Sequence, residues 1–323
     1  MSSSIPILNL QNFLHGSPTQ RQHFVTTLGQ SLETIGFFAL ENHDIDAQLI
    51  RSAYNAATDF FTLPETIKQR YERPDIHRQR GFTCFGQEHA KDSTAPDLKE
   101  FWHVGREKEL ANPWPEEVPH FQTSMSRLYQ QLEHCAMHVL RACADYLDLP
   151  NGFFDAEAIE GKSILRILHY PPIPENMASQ SLRAAPHEDI NLITLLCEST
   201  GPGLELLQTD GSWLAIESLP GQIIVDTGDM LQALSNGVFK STTHRVINPD
   251  HGQPQKQPID KADSKFSPNE DHRFSLPFFM HPRSDFDLTP LPSCIKRTGG
   301  RPKFPSQTAG QYLKQRLEEI GLA

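Results

Sequence analysis

His187-Glu188-Asp189, running on into Ile190-Asn191-Leu192-Ile193-Thr194-Leu195-Leu196-Cys197, is the stretch on which the fold turns. The tripeptide offers an imidazole and a carboxylate two residues apart, and on an extended strand such positions point to one side. The run behind it is short and apolar with β-branched members, the composition of a buried strand. A second imidazole, His244, closes Lys240-Ser241-Thr242-Thr243-His244 after several further strand-like runs. Two histidines and one carboxylate can face a single metal ion and leave its other positions open, the arrangement used by non-heme Fe(II) sites that activate oxygen.

Outward from that centre, the chain after Gly161 carries a strand period. Ser163 to Tyr170, Ile190 to Cys197, Gly203 to Gln208, Ser212 to Ile216, Gln222 to Asp226, Val238 to Val246 and Arg273 to Met280 are short runs rich in Ile, Leu, Val, Phe and Thr. Asp210-Gly211, Pro220-Gly221, Thr227-Gly228-Asp229 and Asn236-Gly237 divide them as turn signals. Many short strands at this spacing predict a double-stranded β-helix, the jelly roll.

Upstream the period is mostly helical. Ile5 to Leu10 reads as a first strand, and Phe24, Val25, Leu28 and Leu32 mark a helix within Gln20 to Thr34. Gly36 to Leu40 reads as a buried strand, Asp46 to Phe61 as a second helix, and Pro64-Glu65 as the first turn of a short one. Arg78 to Arg106 reads as loop or weak strand. From Pro119 to Leu147, Phe121, Met125, Leu128, Leu132, Cys135, Val139, Cys143 and Tyr146 recur every three or four residues, a core-facing helical stripe. A last amphipathic helix spans Thr308 to Ile320. The expected class is mainly β with flanking helices: one domain over 1–323, with an N-terminal helical and mixed region at 1–160, a jelly-roll core at 161–285 and a C-terminal segment and helix at 286–323.

Composition narrows the function. The chain has 323 residues and a formal net charge of −11, so it carries no electrostatic footprint for nucleic acid or an anionic membrane. No apolar run approaches the ~20 residues that span a bilayer. The N-terminus lacks the basic and apolar regions of a secretory signal. The five cysteines are odd in number and scattered, which suggests reduced thiols and a cytoplasmic protein.

Arg273-Phe274-Ser275 opens a strand and sets a guanidinium and a hydroxyl on one face. The planar fork suits a carboxylate, and the hydroxyl adds a donor. An organic acid anchored there can reach a metal with its other end. In this order His187-x-Asp189, His244 and Arg273-x-Ser275 resemble the iron(II)/2-oxoglutarate-dependent dioxygenases, specifically the isopenicillin N synthase-like group. Leu165-Arg166-Ile167-Leu168-His169-Tyr170-Pro171-Pro172, Pro220-Gly221 to Gly228-Asp229 and Asn236-Gly237-x-Phe239-Lys240-Ser241 extend the likeness.

The resemblance implies that His187, Asp189 and His244 ligate Fe(II), and that Arg273, Ser275 and Tyr170 hold the distal carboxylate of 2-oxoglutarate. It implies oxidative decarboxylation of 2-oxoglutarate by O2 to succinate and CO2, coupled to oxidation, most simply hydroxylation, of a small organic substrate. Leu168 stands where plant members commonly carry Asn. Glu188 is expected to face away from the ligands. Gly81, Glu100 and Trp102 fall where the group builds its substrate-side wall, although Trp102 reads equally as core. Two other readings stay open: an Fe(II) oxidase of the isopenicillin N synthase or aminocyclopropanecarboxylate oxidase type, which needs no 2-oxoglutarate, and a non-catalytic jelly-roll binding protein. The substrate and the oligomeric state are not written in the sequence. Pro249 to His272, rich in Pro, Gln, Lys and Asp, is an added segment whose composition predicts mobility, as a surface insertion or as a lid.

Overall fold

A computed structural model describes residues 4–89, 95–108, 110–173, 181–217, 219–248 and 272–320. The N-terminal part holds β1 (Ile7–Asn9), α1 (Leu10–Leu14), α2 (Pro18–Thr34), β2 (Phe37–Glu41), α3 (Ala47–Phe61), α4 (Glu65–Lys68), β3 (Gly81–Thr83), β4 (Glu100–Gly105), α5 (Phe121–Tyr146) and α6 (Asp155–Ile159). Next come β5 (Ile164–Tyr170), β6 (Ala184–His187), β7 (Ile193–Cys197), β8 (Leu204–Leu207), β9 (Trp213–Ala215), β10 (Ile223–Thr227) and α7 (Asp229–Leu234). The chain continues through β11 (His244–Val246), β12 (Arg273–Ser275), β13 (Pro277–Met280), α8 (Pro292–Arg297) and α9 (Ala309–Glu319).

Two sheets make the centre. The larger has nine strands along the path β1-β2-β10-β7-β13-β5-β4-β3, with β12 also paired to β5, and the smaller runs β6-β11-β8-β9. Period-two alternation assigns each strand two faces. Phe38, Leu40, Leu165, Ile167, Ile193, Leu195, Ile223, Val225, Phe278 and Met280 join the helices in the main core. The alternate residues Phe37, Ala39 and Ile224 meet Leu204 and Leu206 of the smaller sheet instead. Between the sheets, the same inner phase also places Arg166, Leu168, Tyr170, Thr194, Asp226, Ser275 and Phe279 around a cavity. Alternation thus builds a core on one side and a lined chamber on the other.

The helices end where their sequences allow. Ser17 caps α2 and Thr308 caps α9, each in a capping box with a Gln three residues on. The stripe predicted on α5 is buried from Phe121 to Cys143, with Tyr146 half-buried, and all five cysteines are free. No helix among the described residues is long and apolar enough to cross a membrane.

Several expectations change in detail. Arg78 to Arg106 contains β4, wholly buried and paired to β5 along six positions, because Phe101 and Trp102 fill opposite faces. Ile5 to Leu10 shortens to β1, since the Asn9 side chain accepts from Gln11 N and starts a helix there. Of Val238 to Val246 only the last three residues form strand. Lys240 N donates to Leu32 O and Ser241 N to Gln232 Oε1, so this backbone spends its hydrogen bonds outside any ladder. β6 escaped the sequence reading: Ala184-Ala185-Pro186-His187 has poor strand propensity, and its proline is tolerated because β6 lies at a sheet edge. Pro249 to Asp271 lies outside the described residues. Among Gly81, Glu100 and Trp102, none lines the cavity. Trp102 is fully buried, with ring centroids 4.7 Å from Phe60 and 5.2 Å from Phe121, and Glu100 pairs with Lys68 and His169. Trp102→Ala is therefore expected to cost about 3–5 kcal/mol, read as a lower urea midpoint at unchanged slope. A loss below about 1 kcal/mol would contradict this packing.

Candidate active site and metal centre

The strand register brings the two histidines together. β11 pairs antiparallel with β6, and His244 faces His187 directly, with ring centroids 4.4 Å apart. β6 ends at His187, so Asp189 stands beyond the strand, and the same-strand argument for its convergence does not hold. It reaches the pair from the connection into β7. Asp189 Oδ1 is 3.8 Å from His244 Nε2, and one donor atom from each of the three residues lies within 4.8 Å of the others.

Each side chain is held from behind. His187 Nδ1 is 2.7 Å from Ala185 O and His244 Nδ1 is 3.2 Å from Thr242 O. As N–H donors to those carbonyls, both rings keep Nε2 as the free lone pair. Phe37 meets the His244 ring edge-on, with centroids 5.6 Å apart. Thr194 Oγ1 donates to Asp189 Oδ2, and Asn191 Nδ2 donates to Thr194 Oγ1 at 3.1 Å. Asp229 N donates to Asp189 O at 2.7 Å, fixing the backbone. Gly228 admits no side chain, since a Cβ there would meet Asn191 O at 2.2 Å. Burial, with His244 next, lowers the His187 pKa to about 4, so the ring is neutral and able to ligate near pH 7. Burial and then Asp189 raise the Asp226 carboxyl well above its usual range. Two imidazoles and one carboxylate, each with its second polar atom engaged, fit a divalent iron ion with open positions.

The inner chamber adds a buried cation. Arg273 pairs across the ladder with Tyr170, and Ser275 with Leu168. Arg273 is 2 % exposed and has no carboxylate partner among the described residues. Its Nε donates to Gly201 O at 3.0 Å and Pro202 O at 3.1 Å, and its Nη1 to Ser275 Oγ at 3.4 Å. The guanidinium lies 5.0 Å from the Tyr170 ring centroid. Burial pushes its pKa down, the cost of a cation lacking a counter-charge. A dicarboxylate entering this chamber supplies that charge, so the donor set fits 2-oxoglutarate. Leu168 packs with Phe101 and Tyr170 and gives the chamber an apolar wall.

On the other side of His187 and Asp189 a second cleft opens, lined among others by Arg166, Glu188, His281 and the α9 residues Leu313 and Leu317. Glu188 thus borders this cleft; it also accepts from Thr243 Oγ1. Sequence reasoning gave no role to Thr194, Asp226, Arg166 or His281. Arg166 had a visible signal: it is the one charge in the apolar run Ile164 to Leu168, on the chamber-facing phase.

Likeness to known proteins agrees with this chemistry. Residues 5–122 match the family described as non-haem dioxygenase in morphine synthesis, N-terminal, and residues 161–282 match the 2OG-Fe(II) oxygenase superfamily. The chain is 31% identical to the 2-oxoglutarate-dependent dioxygenase frbA of Dothideomycetidae sp. (strain 11243), over 97% of this chain and 96% of that protein. A crystal structure of a 2OG-Fe(II) oxygenase family protein from Caulobacter crescentus is similar with TM-score 0.81 and 36% identity, covering 98% of this chain and 99% of that one. A full-length Neurospora crassa protein, solved in complex with alpha-KG and thymine, is similar with TM-score 0.83 and 27% identity, covering 97% and 96%. None of these likenesses favours an oxidase that dispenses with 2-oxoglutarate. With both halves of the chain matched and this chemistry between them, the chain belongs to the Fe(II)/2-oxoglutarate-dependent dioxygenases of the isopenicillin N synthase-like group.

Proposed function

We propose that His187, Asp189 and His244 are the Fe(II) ligands and that Arg273, Ser275 and Tyr170 bind the distal carboxylate of 2-oxoglutarate. The observation that carries this is the convergence of three donor atoms within 4.8 Å beside a buried guanidinium that has no carboxylate partner among the described residues. Iron, 2-oxoglutarate and O2 together supply the oxidising chemistry, yielding succinate and CO2 as a small organic substrate is oxidised, most simply by hydroxylation. The protein's own residues bind and orient. Thr194 fixes Asp189, the Ala185 and Thr242 carbonyls set both imidazole tautomers, and Arg273 neutralises the co-substrate's far end. Phe37, Leu168 and Phe279 keep the chamber apolar.

The Neurospora crassa complexes with thymine and with 5-formyluracil support a small-molecule substrate for this chain too. We further take residues 1–323 as one oxygenase domain, because β1 to β4 extend the same sheet as the jelly-roll strands. The free cysteines favour a reducing compartment, the cytoplasm.

Three measurements test these roles. His244→Ala is expected to abolish turnover and stoichiometric Fe(II) binding while leaving the circular dichroism nearly unchanged; full activity in this variant would sink the assignment. Thr194→Val removes the donor behind Asp189 and should weaken Co(II) or Fe(II) affinity by roughly 10–100-fold in a metal titration. Arg273→Gln removes hydrogen bonds of about 1.5–3 kcal/mol each to a charged group, so the 2-oxoglutarate KM should rise at least about tenfold. Substrate oxidation without succinate would instead identify an oxidase.

A further inference from the structure

The cleft on the substrate side carries charged groups that the iron chemistry leaves unused. Lys99 Nζ is 2.7 Å from Asp97 Oδ2 and 2.8 Å from Glu88 Oε2, and Arg166 Nη1 is 3.1 Å from each oxygen of Glu88. Two cations face two carboxylates, and Lys99, Asp97 and Glu88 are buried. Burial alone would push the Glu88 carboxyl up, but Arg166 and Lys99 outweigh it and hold the group below the usual carboxylate range. Burial likewise opposes the charge on Lys99, yet Asp97 and Glu88 hold its pKa above the usual lysine value. These four charges balance one another, and the cleft's other arginine, Arg316, is already paired with Glu319 at 2.7 Å.

Arg166 is also rigid. Its Nε donates to His103 Nε2 at 2.7 Å, and His103 Nδ1 in turn donates to Arg78 O at 2.9 Å, a chain that requires the neutral imidazole. Phe101 and Phe279 stack against the guanidinium, 4.4 Å and 5.3 Å from their centroids. None of these bonds uses Nη2. His281 borders the same cleft, with Nδ1 buried and lacking a hydrogen-bond partner among the described residues. Burial lowers this ring's pKa to about 4, so near neutral pH it offers one donor and one acceptor.

An organic acid entering here would desolvate its carboxylate beside cations that are already neutralised, and would leave an unpaired negative charge. An uncharged carbonyl asks only for the unused Nη2 hydrogens and leaves the balance intact. We propose that the cleft takes an uncharged, hydrogen-bonding small molecule, an amide or imide and not an organic acid, with Arg166 anchoring the carbonyl oxygen and His281 meeting the adjacent N–H. This rests on the reading of the metal and 2-oxoglutarate residues given above, and names the substrate class of that same site. Phe279 and the α9 side chains Leu313 and Leu317 receive the apolar body.

Anaerobic calorimetry of the Fe(II)- and 2-oxoglutarate-loaded protein with glutarimide and with benzoate tests the inference without turnover. Glutarimide is expected to bind at least about tenfold tighter than benzoate. Glu88→Gln leaves one uncompensated cation, so benzoate should gain at least about tenfold while glutarimide stays within about threefold. Damage to the fold would weaken both ligands. Asp97→Asn makes the same charge change on the other flank of Lys99, should the first variant fail to fold. Benzoate bound tighter by the unaltered protein, neither probe bound at millimolar concentration, or an unchanged preference in both variants would each overturn the inference. The 2-oxoglutarate titration of the same preparation separates the two levels: its failure strikes the co-substrate assignment, and its success beside the wrong preference strikes only the substrate class.

Discussion

The register between β6 and β11 is the constraint on which the site depends. His187 and His244 meet because they are directly opposed residues of one antiparallel pair. A slip of one residue would carry one ring to the opposite face of the sheet. β8 pins the other side of β11 by pairing His244 with Leu206, whose side chain sits in the small core between the sheets. The hydrophobic pattern of one strand therefore fixes the geometry of a polar centre on its neighbour. Asp189, past the end of β6, needs other restraints, and it has them in the Thr194 hydroxyl and the Asp229 amide.

Around that register the chain manages buried charge in three ways. Asp226 has its carboxyl pKa raised well above the usual range by burial and by Asp189. On the substrate side, Lys99, Arg166, Glu88 and Asp97 cancel one another. Arg273 has no carboxylate partner among the described residues, and the carboxylate of a ligand entering the chamber would complete it. The contrast assigns different tasks to two arginines that face one connected interior: one waits for an anion, the other already has its own.

Much of this was legible in the sequence. The ligand set and Arg273-x-Ser275 could be read because order and spacing carry them, and the strands could be read from period-two runs such as Ile193 to Cys197. β6 was not legible, because a four-residue edge strand with proline owes its existence to pairing and not to propensity. The helix α7 hid behind Thr227-Gly228-Asp229, a turn signal that serves here as its cap. Trp102 could not be divided between core and pocket by residue type alone, since that choice is made by Phe60 and Phe121, far away in the chain. The Lys99–Glu88–Arg166 cluster draws on three segments, and nothing in one segment announces the others.

One strand serves two ligands. Along β5, Ile164 and Arg166 border the outer cleft, while Arg166, Leu168 and Tyr170 border the inner chamber. A residue change there disturbs co-substrate and substrate together, so selection has little freedom on this strand. The C-terminal helix is differently placed: Leu313, Leu317 and Ile320 border only the outer cleft, and the Tyr312 hydroxyl ties the helix to Asp229 at 2.6 Å. Divergence within the lineage can therefore run through α9, where new side chains reshape what is oxidised while the apparatus that oxidises it is inherited intact.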